Sequence, residues 1–231
     1  MKLSIVIPAY NEEKRIIPTL ERVLSFIKER AYNAEVIVVD DGSKDATASV
    51  VSIYPVRLIR YSPNRGKGYA VNTGMKAATG ELILFSDADL STPIEELDSF
   101  LPFTKECGVI IGSRSNRAKL SKRQPIHREL LGKAFNAIVS LLTVRGFRDT
   151  QCGFKLFTKR AANIIVPRQR IFGFGFDVEQ LFIAQKHGLR IKEMPVRWMN
   201  NEDSRVRLTH AFAMFTEIVR MRMNAWKGLY K

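Results

Sequence analysis

The sequence is poor in the residues that build disulfide frameworks and histidine-based metal sites. It has 2 cysteines and 3 histidines among 231 residues. Cys107 and Cys152 lack the close spacing of a zinc or redox motif, so we expect both to be reduced thiols in the core or at a site of a cytosolic protein. His127, His187 and His210 are scattered, which excludes a local histidine motif, and we expect them to be surface or core residues.

Long apolar runs are absent as well. The longest uncharged stretch with several large apolar residues in the second half, residues 134–144, is far shorter than the about 20 residues of a membrane-spanning helix. Met1 and Lys2 lead directly into a strand pattern, so we expect no signal peptide. Because no internal repeat or low-complexity linker interrupts the chain, we expect residues 1–231 to form one domain.

The chain does have a strong excess of positive charge, and it is concentrated in the second half. The formal net charge is +14. Residues 1–111 carry 13 lysines and arginines against 15 aspartates and glutamates, whereas residues 112–231 carry 24 against 8. Such a basic region favours an anionic partner, which could be a nucleic acid, a diphosphate or a membrane surface.

Apolar, β-branched runs alternate with helical patterns through the first half. Strands are predicted at five places: residues 3–7, 36–39, 56–59, 82–85 and 109–111. Helical spacing of apolar residues is found at residues 16–27, and a further helix is predicted at 65–79. This alternation predicts an α/β fold with a doubly wound, mainly parallel sheet. Ligands bind such sheets beyond the carboxyl ends of the strands.

The pattern is looser in the second half. We expect strands at residues 153–157 and around 191–196, a helix at 177–186, and amphipathic helices at 130–142 and 208–226. Packing onto the domain is the expected role of the last helix, and contact with a membrane is the alternative.

Acidic residues follow three of the predicted strands. Glu12 follows the first strand, Asp40 and Asp41 end the second, and Asp87 and Asp89 follow the fourth. Because the carboxyl ends of parallel strands meet at one edge, we expect these groups to repel one another strongly unless a cation is bound. Hard carboxylate oxygens suit Mg²⁺ or Mn²⁺. The spacing of Asp87 and Asp89 predicts that both aspartates face such a cation.

Five short motifs occur in order along the chain: Pro8-Ala9-Tyr10-Asn11-Glu12, Val39-Asp40-Asp41-Gly42-Ser43, Asn64-Arg65-Gly66-Lys67-Gly68, Asp87-Ala88-Asp89 and Gly112-Ser113-Arg114. Together they resemble the inverting nucleotide-sugar glycosyltransferases of the GT-A fold. In the second half, residues 149–157 and 176–179 are similar to the dolichyl-phosphate β-glucosyltransferases. The related dolichyl-phosphate mannose synthases share the same arrangement of motifs. The resemblance covers nearly the whole chain. It implies a nucleotide-binding half, residues 1–111, and a basic acceptor-binding half, residues 112–231.

The resemblance also implies a set of nucleotide-binding residues, namely Pro8, Tyr10, Glu12, Val39, Asp41, Asp87 and Ala88. The first three would lie around the base and ribose, while Val39 and Asp41 would hold the uracil or ribose. Asp89 would bind the metal directly, and Asp87 would contact the ribose or complete the metal site.

Basic residues are assigned to the phosphate groups on the same ground. Lys67 and Arg114 would lie near the diphosphate or the sugar. Arg128, Arg205 and Lys155 would contact the acceptor phosphate.

The implied reaction is the transfer of a hexose, glucose by resemblance, from UDP-glucose to a polyprenyl phosphate. A phosphate monoester has a second pKa of about 6, so it is largely dianionic at neutral pH and needs cations rather than a strong base. Residues 112–160 carry 12 lysines and arginines, which favours this acceptor. A hydroxyl acceptor would need a general base, for which Asp177 and Glu179 are candidates. With a phosphate acceptor, Asp177 could still orient the acceptor or the sugar. Mannose transfer from GDP-mannose is a further alternative.

Two other classes fit the sequence less well. A nucleic-acid-binding domain would explain the pI of about 10.0 but not the acidic strand ends, so we expect no nucleic acid partner. A nucleotidyltransferase would show a glycine-rich first loop, and Lys67 is not followed by the Ser or Thr of a P-loop. With a lipid acceptor and no spanning helix, we expect a cytoplasmic protein held at the membrane peripherally or by a membrane-protein partner.

Overall fold

A computed structural model describes residues 2–114, 144, 146–199 and 208–231, with only the backbone for residues 208–215. Seven strands within these residues form one sheet: β1 (Leu3–Ala9), β2 (Ala34–Asp40), β3 (Arg57–Arg60), β4 (Leu82–Ser86), β5 (Val109–Ser113), β6 (Phe154–Thr158) and β7 (Ile191–Pro195). Their spatial order is β3-β2-β1-β4-β6-β5-β7. All seven strands expected from the sequence are therefore present.

Six strands of the sheet run in one direction. Only β6 runs the other way, because it pairs antiparallel with both β4 and β5. The prediction of a mainly parallel α/β sheet is confirmed, and the reversed strand is the feature that alternation alone did not predict. Since Phe154 at the start of β6 pairs with Ser86 at the end of β4, the start of β6 joins the carboxyl ends of the other strands at one edge.

Helices cover both faces of the sheet. They are α1 (Ile16–Glu29), α2 (Thr47–Val51), α3 (Lys67–Ala77), α4 (Glu96–Phe100), α5 (Lys159–Ile165), α6 (Phe176–Lys186) and α7 (Leu208–Trp226). Apolar residues of α3, α5, α6 and α7 form one buried cluster with the sheet, and those of α1, α2 and α4 form the second. The doubly wound arrangement is therefore confirmed.

The last helix packs onto the domain as expected. Ile218 and Met221 are almost completely buried in the first cluster. The amphipathic helix expected at residues 130–142 lies outside the described residues. In the part of the chain that the structure describes, none of the helices is long and apolar enough to cross a membrane.

Candidate active site

The loops that follow β1 and β2 hold each other through side-chain hydrogen bonds to backbone groups. Ser43 Oγ accepts the N–H of Asn11 at 2.9 Å, and Thr47 Oγ1 accepts the N–H of Glu12 at 2.8 Å. In return, Asn11 Oδ1 accepts the N–H of Lys44 at 2.9 Å. Asn11 has a φ of 55°, a left-handed conformation that asparagine tolerates better than most residues. The two loops therefore hold each other in place at the ends of β1 and β2.

The acidic residues at these two strand ends have partners within the protein. Glu12 forms two hydrogen bonds to the guanidinium of Arg15, at 2.6 and 2.7 Å. Asp40 is completely buried, where it accepts the N–H of Ser43 at 2.9 Å and lies 3.2 Å from Arg60 Nε. Guanidinium and amide groups therefore reduce the repulsion between these carboxylates, and the need for a cation at this edge stays a prediction.

Asp41 organises the loop that leads into α3. Its Oδ1 accepts the N–H of Arg65 at 2.8 Å, and its Oδ2 accepts the N–H of Gly66 and the side-chain amide of Asn64, both at 2.9 Å. The residue is 3% exposed. Asp41 therefore positions the backbone just before Lys67, and its contact with a nucleotide stays a prediction.

Gly66 and Gly68 allow this loop to pack tightly against the segment before α6. Gly66 has a φ of 97°, and a Cβ there would lie 2.6 Å from the carbonyl oxygen of Phe172. The N–H of Gly68 donates to the same oxygen at 2.9 Å, and a Cβ on Gly68 would lie 2.5 Å from Phe176 Cβ. Both glycines are thus required by contacts within the chain itself.

Lys67 and Asp87 form an ion pair at the end of β4. Lys67 Nζ lies 2.6 Å from Asp87 Oδ1, and each side chain is about one third exposed. Burial acts to lower the pKa of Lys67, but the carboxylates of Asp87 and Asp177 raise it above its ordinary value, so the side chain stays an ammonium. A Cβ on Gly153 would lie 1.9 Å from Asp87 Oδ2. The aspartate thus occupies space that any residue other than glycine would fill.

Asp89 lies in the turn after β4 and is partly exposed. Its Oδ1 accepts the N–H of Ser91 at 3.0 Å. Between the two aspartates, Ala88 is buried and its carbonyl accepts the hydroxyl of Thr19 at 2.7 Å, which anchors the turn to α1. The described residues contain no group of three or more His, Cys, Asp and Glu side chains arranged for a metal. Two carboxylates nevertheless fit Mg²⁺ or Mn²⁺ at a nucleotide site, because such ions are often held by one or two carboxylates together with substrate phosphates.

Lys155 has a different place from the one expected. It is completely buried, and its Nζ donates to Asp177 Oδ1 and, at 2.7 Å, to the carbonyl of Cys152. An ammonium held in this way cannot reach a phosphate at the surface, so the assignment of Lys155 to the acceptor phosphate is corrected. Asp177 is 5% exposed, and burial raises its pKa although Lys155 and Lys67 act to lower it.

Arg114 is paired with a carboxylate that the sequence did not mark as a site residue. Its Nε and Nη2 donate to the two oxygens of Asp149 at 2.7 and 2.8 Å, and its backbone N–H donates at 2.9 Å. Burial acts to raise the pKa of Asp149, but Arg114 lowers it below its usual range. The signal that could have identified this partner is that Asp149 is one of only two acids in residues 112–160.

Glu179 is a structural residue rather than an available base. It is completely buried, and its Oε2 accepts the N–H groups of Arg170 and Ile171 at 2.9 and 2.8 Å, while its Oε1 accepts the hydroxyl of Tyr230. Burial raises the pKa of Glu179 to about 7. The residue therefore fixes segment 169–175 and the end of the chain.

The remaining expected residues fall into three groups. Tyr10 is 38% exposed at the end of β1. Pro8 is buried and Val39 is 0% exposed, so the side chain of Val39 belongs to the core, and the contact of this residue with the uracil or ribose stays a prediction. Arg128 and Arg205 lie outside the described residues.

A mainly parallel α/β sheet that gathers paired carboxylates and fixed cations beyond the carboxyl ends of its strands has its candidate site where such sheets bind ligands. The chain belongs to the family described as Glycosyl transferase family 2, whose model matches residues 4–164. Three curated relatives extend this match. The dolichyl-phosphate beta-glucosyltransferase ALG5C of Trichomonas vaginalis is 37% identical, over 98% of this chain and 72% of the relative. The dolichyl-phosphate beta-glucosyltransferases of Homo sapiens and Saccharomyces cerevisiae are 40% and 34% identical, over 89% and 99% of this chain and 69% and 76% of the relatives. The resemblance inferred from the motifs is thereby confirmed.

Solved structures show the same fold. Mannosyl-3-phosphoglycerate synthase from Rubrobacter xylanophilus superposes with a TM-score of 0.73 at 18% identity, covering 99% of this chain and 75% of the other. Glucosyl-3-phosphoglycerate synthase from Mycobacterium tuberculosis, in complex with Mg²⁺ and UDP, gives 0.68 at 18% identity, covering 96% and 78%. The expectation of a GT-A fold is confirmed.

Proposed function

We propose that this protein transfers glucose from UDP-glucose to a polyprenyl phosphate, giving UDP and a β-linked glucosyl lipid phosphate. The observation that carries the proposal is its identity of 34% to 40% with dolichyl-phosphate beta-glucosyltransferases over most of the chain. The site at the sheet edge supports the chemistry, because it offers the carboxylates of Asp87 and Asp89 and the ammonium of Lys67 where a diphosphate would lie.

On the donor side, negative charge builds on the diphosphate as it leaves the sugar. Mg²⁺ or Mn²⁺ held by Asp89 and Asp87 would neutralise part of that charge. Lys67 stays protonated beside Asp87 and can donate charge-assisted hydrogen bonds to a diphosphate oxygen. Gly153 leaves room for the side chain of Asp87, and the loop held by Asp41 positions Lys67.

On the acceptor side, a phosphate dianion attacks without giving up a proton. Its oxygen forms a bond to the anomeric carbon while the bond from that carbon to the diphosphate breaks, and UDP leaves with the electron pair. In-line attack inverts the centre, so an α-linked donor gives a β-linked product. Arg128 and Arg205 remain the proposed acceptor contacts.

A hydroxyl acceptor is less well supported by the candidate bases. Asp177 is buried and paired with Lys155. Glu179 is buried and accepts three hydrogen bonds. A general base must reach the proton that it removes, and both carboxylates already have other partners. This favours an acceptor that is already ionised. Because that acceptor is a membrane lipid, we also propose that the protein works at a membrane surface.

The acceptor can be tested by comparing two lipids in separate assays. Purified protein would be given labelled UDP-glucose, Mg²⁺ and either a detergent-dispersed polyprenyl phosphate or the polyprenol of the same length. We expect lipid-phase label only with the phosphate, loss of that label with EDTA, and little label from GDP-mannose. Equal labelling of the alcohol would overturn the proposed acceptor, and preference for GDP-mannose would overturn the proposed sugar.

A further inference from the structure

The outer face of α7 presents an apolar stripe to solvent. Val219, Met223 and Trp226 are 42%, 46% and 80% exposed. Their spacing of four and three residues places them on one side of the helix. The buried residues Ile218 and Met221 lie on the other side and pack into the core. Within the part of the chain that the structure describes, the stripe therefore remains uncovered after the helix has packed.

Positive side chains border this stripe. Arg220 and Lys227 are exposed and follow the apolar positions by one residue, so they lie along one edge, while Arg222 is partly exposed at the other edge. Glu217 is the single acidic residue between 216 and 231. Its carboxylate points away from this border, because it accepts the N–H of Gly175 at 2.7 Å.

We infer that this face of α7 docks on an anionic phospholipid membrane, with the helix lying in the plane of the interface. Trp226 and its apolar neighbours would enter the boundary between headgroups and acyl chains, and the bordering cations would bind anionic headgroups. The inference rests on the proposed function for its purpose, since a polyprenyl phosphate is held in a membrane. A second copy of the chain is a poorer occupant, because it would bring like charges together on a protein of net charge +14.

The opposite side of α7 is linked to the candidate active site by a short series of contacts. Glu217 on α7 binds Gly175, in the segment that contains Phe172. The carbonyl of Phe172 accepts the N–H of Gly68, the residue after Lys67. A membrane that binds the outer face of α7 would therefore lie across that helix from the segment that borders the donor loop.

Vesicle binding tests the inference without using the reaction. The protein would be mixed with vesicles of phosphatidylcholine alone or with 30 mol% phosphatidylserine, a composition on the order of an anionic leaflet. Trp226→Ala is compared with Ile53→Ala, a matched control, because Ile53 is 81% exposed in the turn after α2. Quenching of tryptophan emission by brominated acyl chains, with Trp226→Phe as background, reports whether this ring enters the bilayer.

We expect salt-sensitive binding to the anionic vesicles and quenching that Trp226→Phe removes. Trp226→Ala should weaken partitioning by about tenfold, as expected for one large apolar side chain. Arg220→Gln with Lys227→Gln should weaken it by about 30-fold, at roughly fivefold for each basic side chain. Ile53→Ala should bind like the wild type.

Two results would overturn the inference. One is equal vesicle binding by Trp226→Ala and the wild type. The other is a dimer in solution, seen by analytical ultracentrifugation without lipid, that Trp226→Ala dissociates. Glucose transfer to a detergent-dispersed acceptor should survive Trp226→Ala, so a failure of docking and a failure of the proposed reaction are separable.

Discussion

Asp87 can occupy its position because the neighbouring strand begins beside a residue without a side chain. Gly153 contributes only backbone atoms there: its carbonyl accepts the N–H of Asp87 at 3.1 Å, and its lack of a Cβ leaves the space that the carboxylate of Asp87 fills. The position of the carboxylate next to Lys67 thus depends on a residue in the other half of the chain.

Gly153→Ala tests this dependence. A Cβ 1.9 Å from Asp87 Oδ2 forces the carboxylate away, because real Cβ contacts essentially never fall below 3.0 Å. Misplacing a catalytic group by about 1 Å can cost about 100-fold in rate, so we expect a loss of that order in kcat for glucose transfer. Gly108→Ala is the control, since its nearest contact would be an ordinary 3.4 Å. Activity of Gly153→Ala within twofold of this control would show that Asp87 has no fixed role.

A second prediction at the scale of single residues concerns the ion pair of Lys155 and Asp177. Removing one partner of a buried ion pair leaves an uncompensated charge and costs about 3–5 kcal/mol. We therefore expect Asp177→Asn to lower the free energy of unfolding strongly, and the double variant with Lys155→Met to recover much of that loss. Urea denaturation measures both. If Asp177→Asn is as stable as the wild type but inactive, the carboxylate acts in the reaction rather than in pairing.

Glu179 predicts a pH dependence of stability. Burial raises its pKa to about 7 from an ordinary 4.5. The native protein therefore keeps a proton that the unfolded chain releases, and this contribution to stability is complete below pH 4.5 and lost as the pH rises through 7. A shift of this size corresponds to about 3 kcal/mol. Glu179→Gln cannot titrate, so its free energy of unfolding should vary less than that of the wild type between pH 4.5 and about 7, the interval between the two pKa values. Parallel pH profiles would contradict the assignment.

At the scale of secondary-structure elements, the strands and the helices at both ends of the chain could be predicted because their apolar periodicity is local. The direction of β6 could not, since pairing with β4 and β5 depends on how the chain returns to the sheet. For the same reason the sequence showed the charge of Lys155 but not its partner, which lies in α6. The five motifs predicted which loops gather at the edge, whereas the burial of Val39 depends on the packing of α3.

The junction between the loop at residues 64–66 and the start of α3 is the element whose packing carries the clearest prediction. A Cβ on Gly68 would meet Phe176 Cβ at 2.5 Å and the carbonyl of Phe172 at 2.9 Å. Overpacking of this kind costs about 1–3 kcal/mol, and we expect Gly68→Ala to lower the free energy of unfolding by that amount. Because Lys67 is adjacent, transfer activity should fall as well. A variant of wild-type stability would mean that the loop can move away from α6.

At the scale of the whole molecule, the two halves of the sequence share one sheet. Strand β6 from the basic half lies between β4 and β5 from the first half. Strand ends from both halves of the sequence therefore lie at the same edge of the sheet. This brings the loops within residues 8–68 that we propose to bind the donor beside Asp149, Gly153 and Asp177. The division into a nucleotide-binding half and an acceptor-binding half stays a prediction, and it places the excess positive charge on the side of the lipid phosphate.

The identity of the lipid product tests the central claim most directly. The protein would be incubated with UDP-glucose, polyprenyl phosphate and Mg²⁺, and the lipid phase analysed by mass spectrometry and by NMR of the anomeric proton. We predict one hexose added to the lipid phosphate, in the β configuration, with one UDP released for each product molecule. An α-linked product, or UDP release without any glucosylated lipid phosphate, would contradict the account.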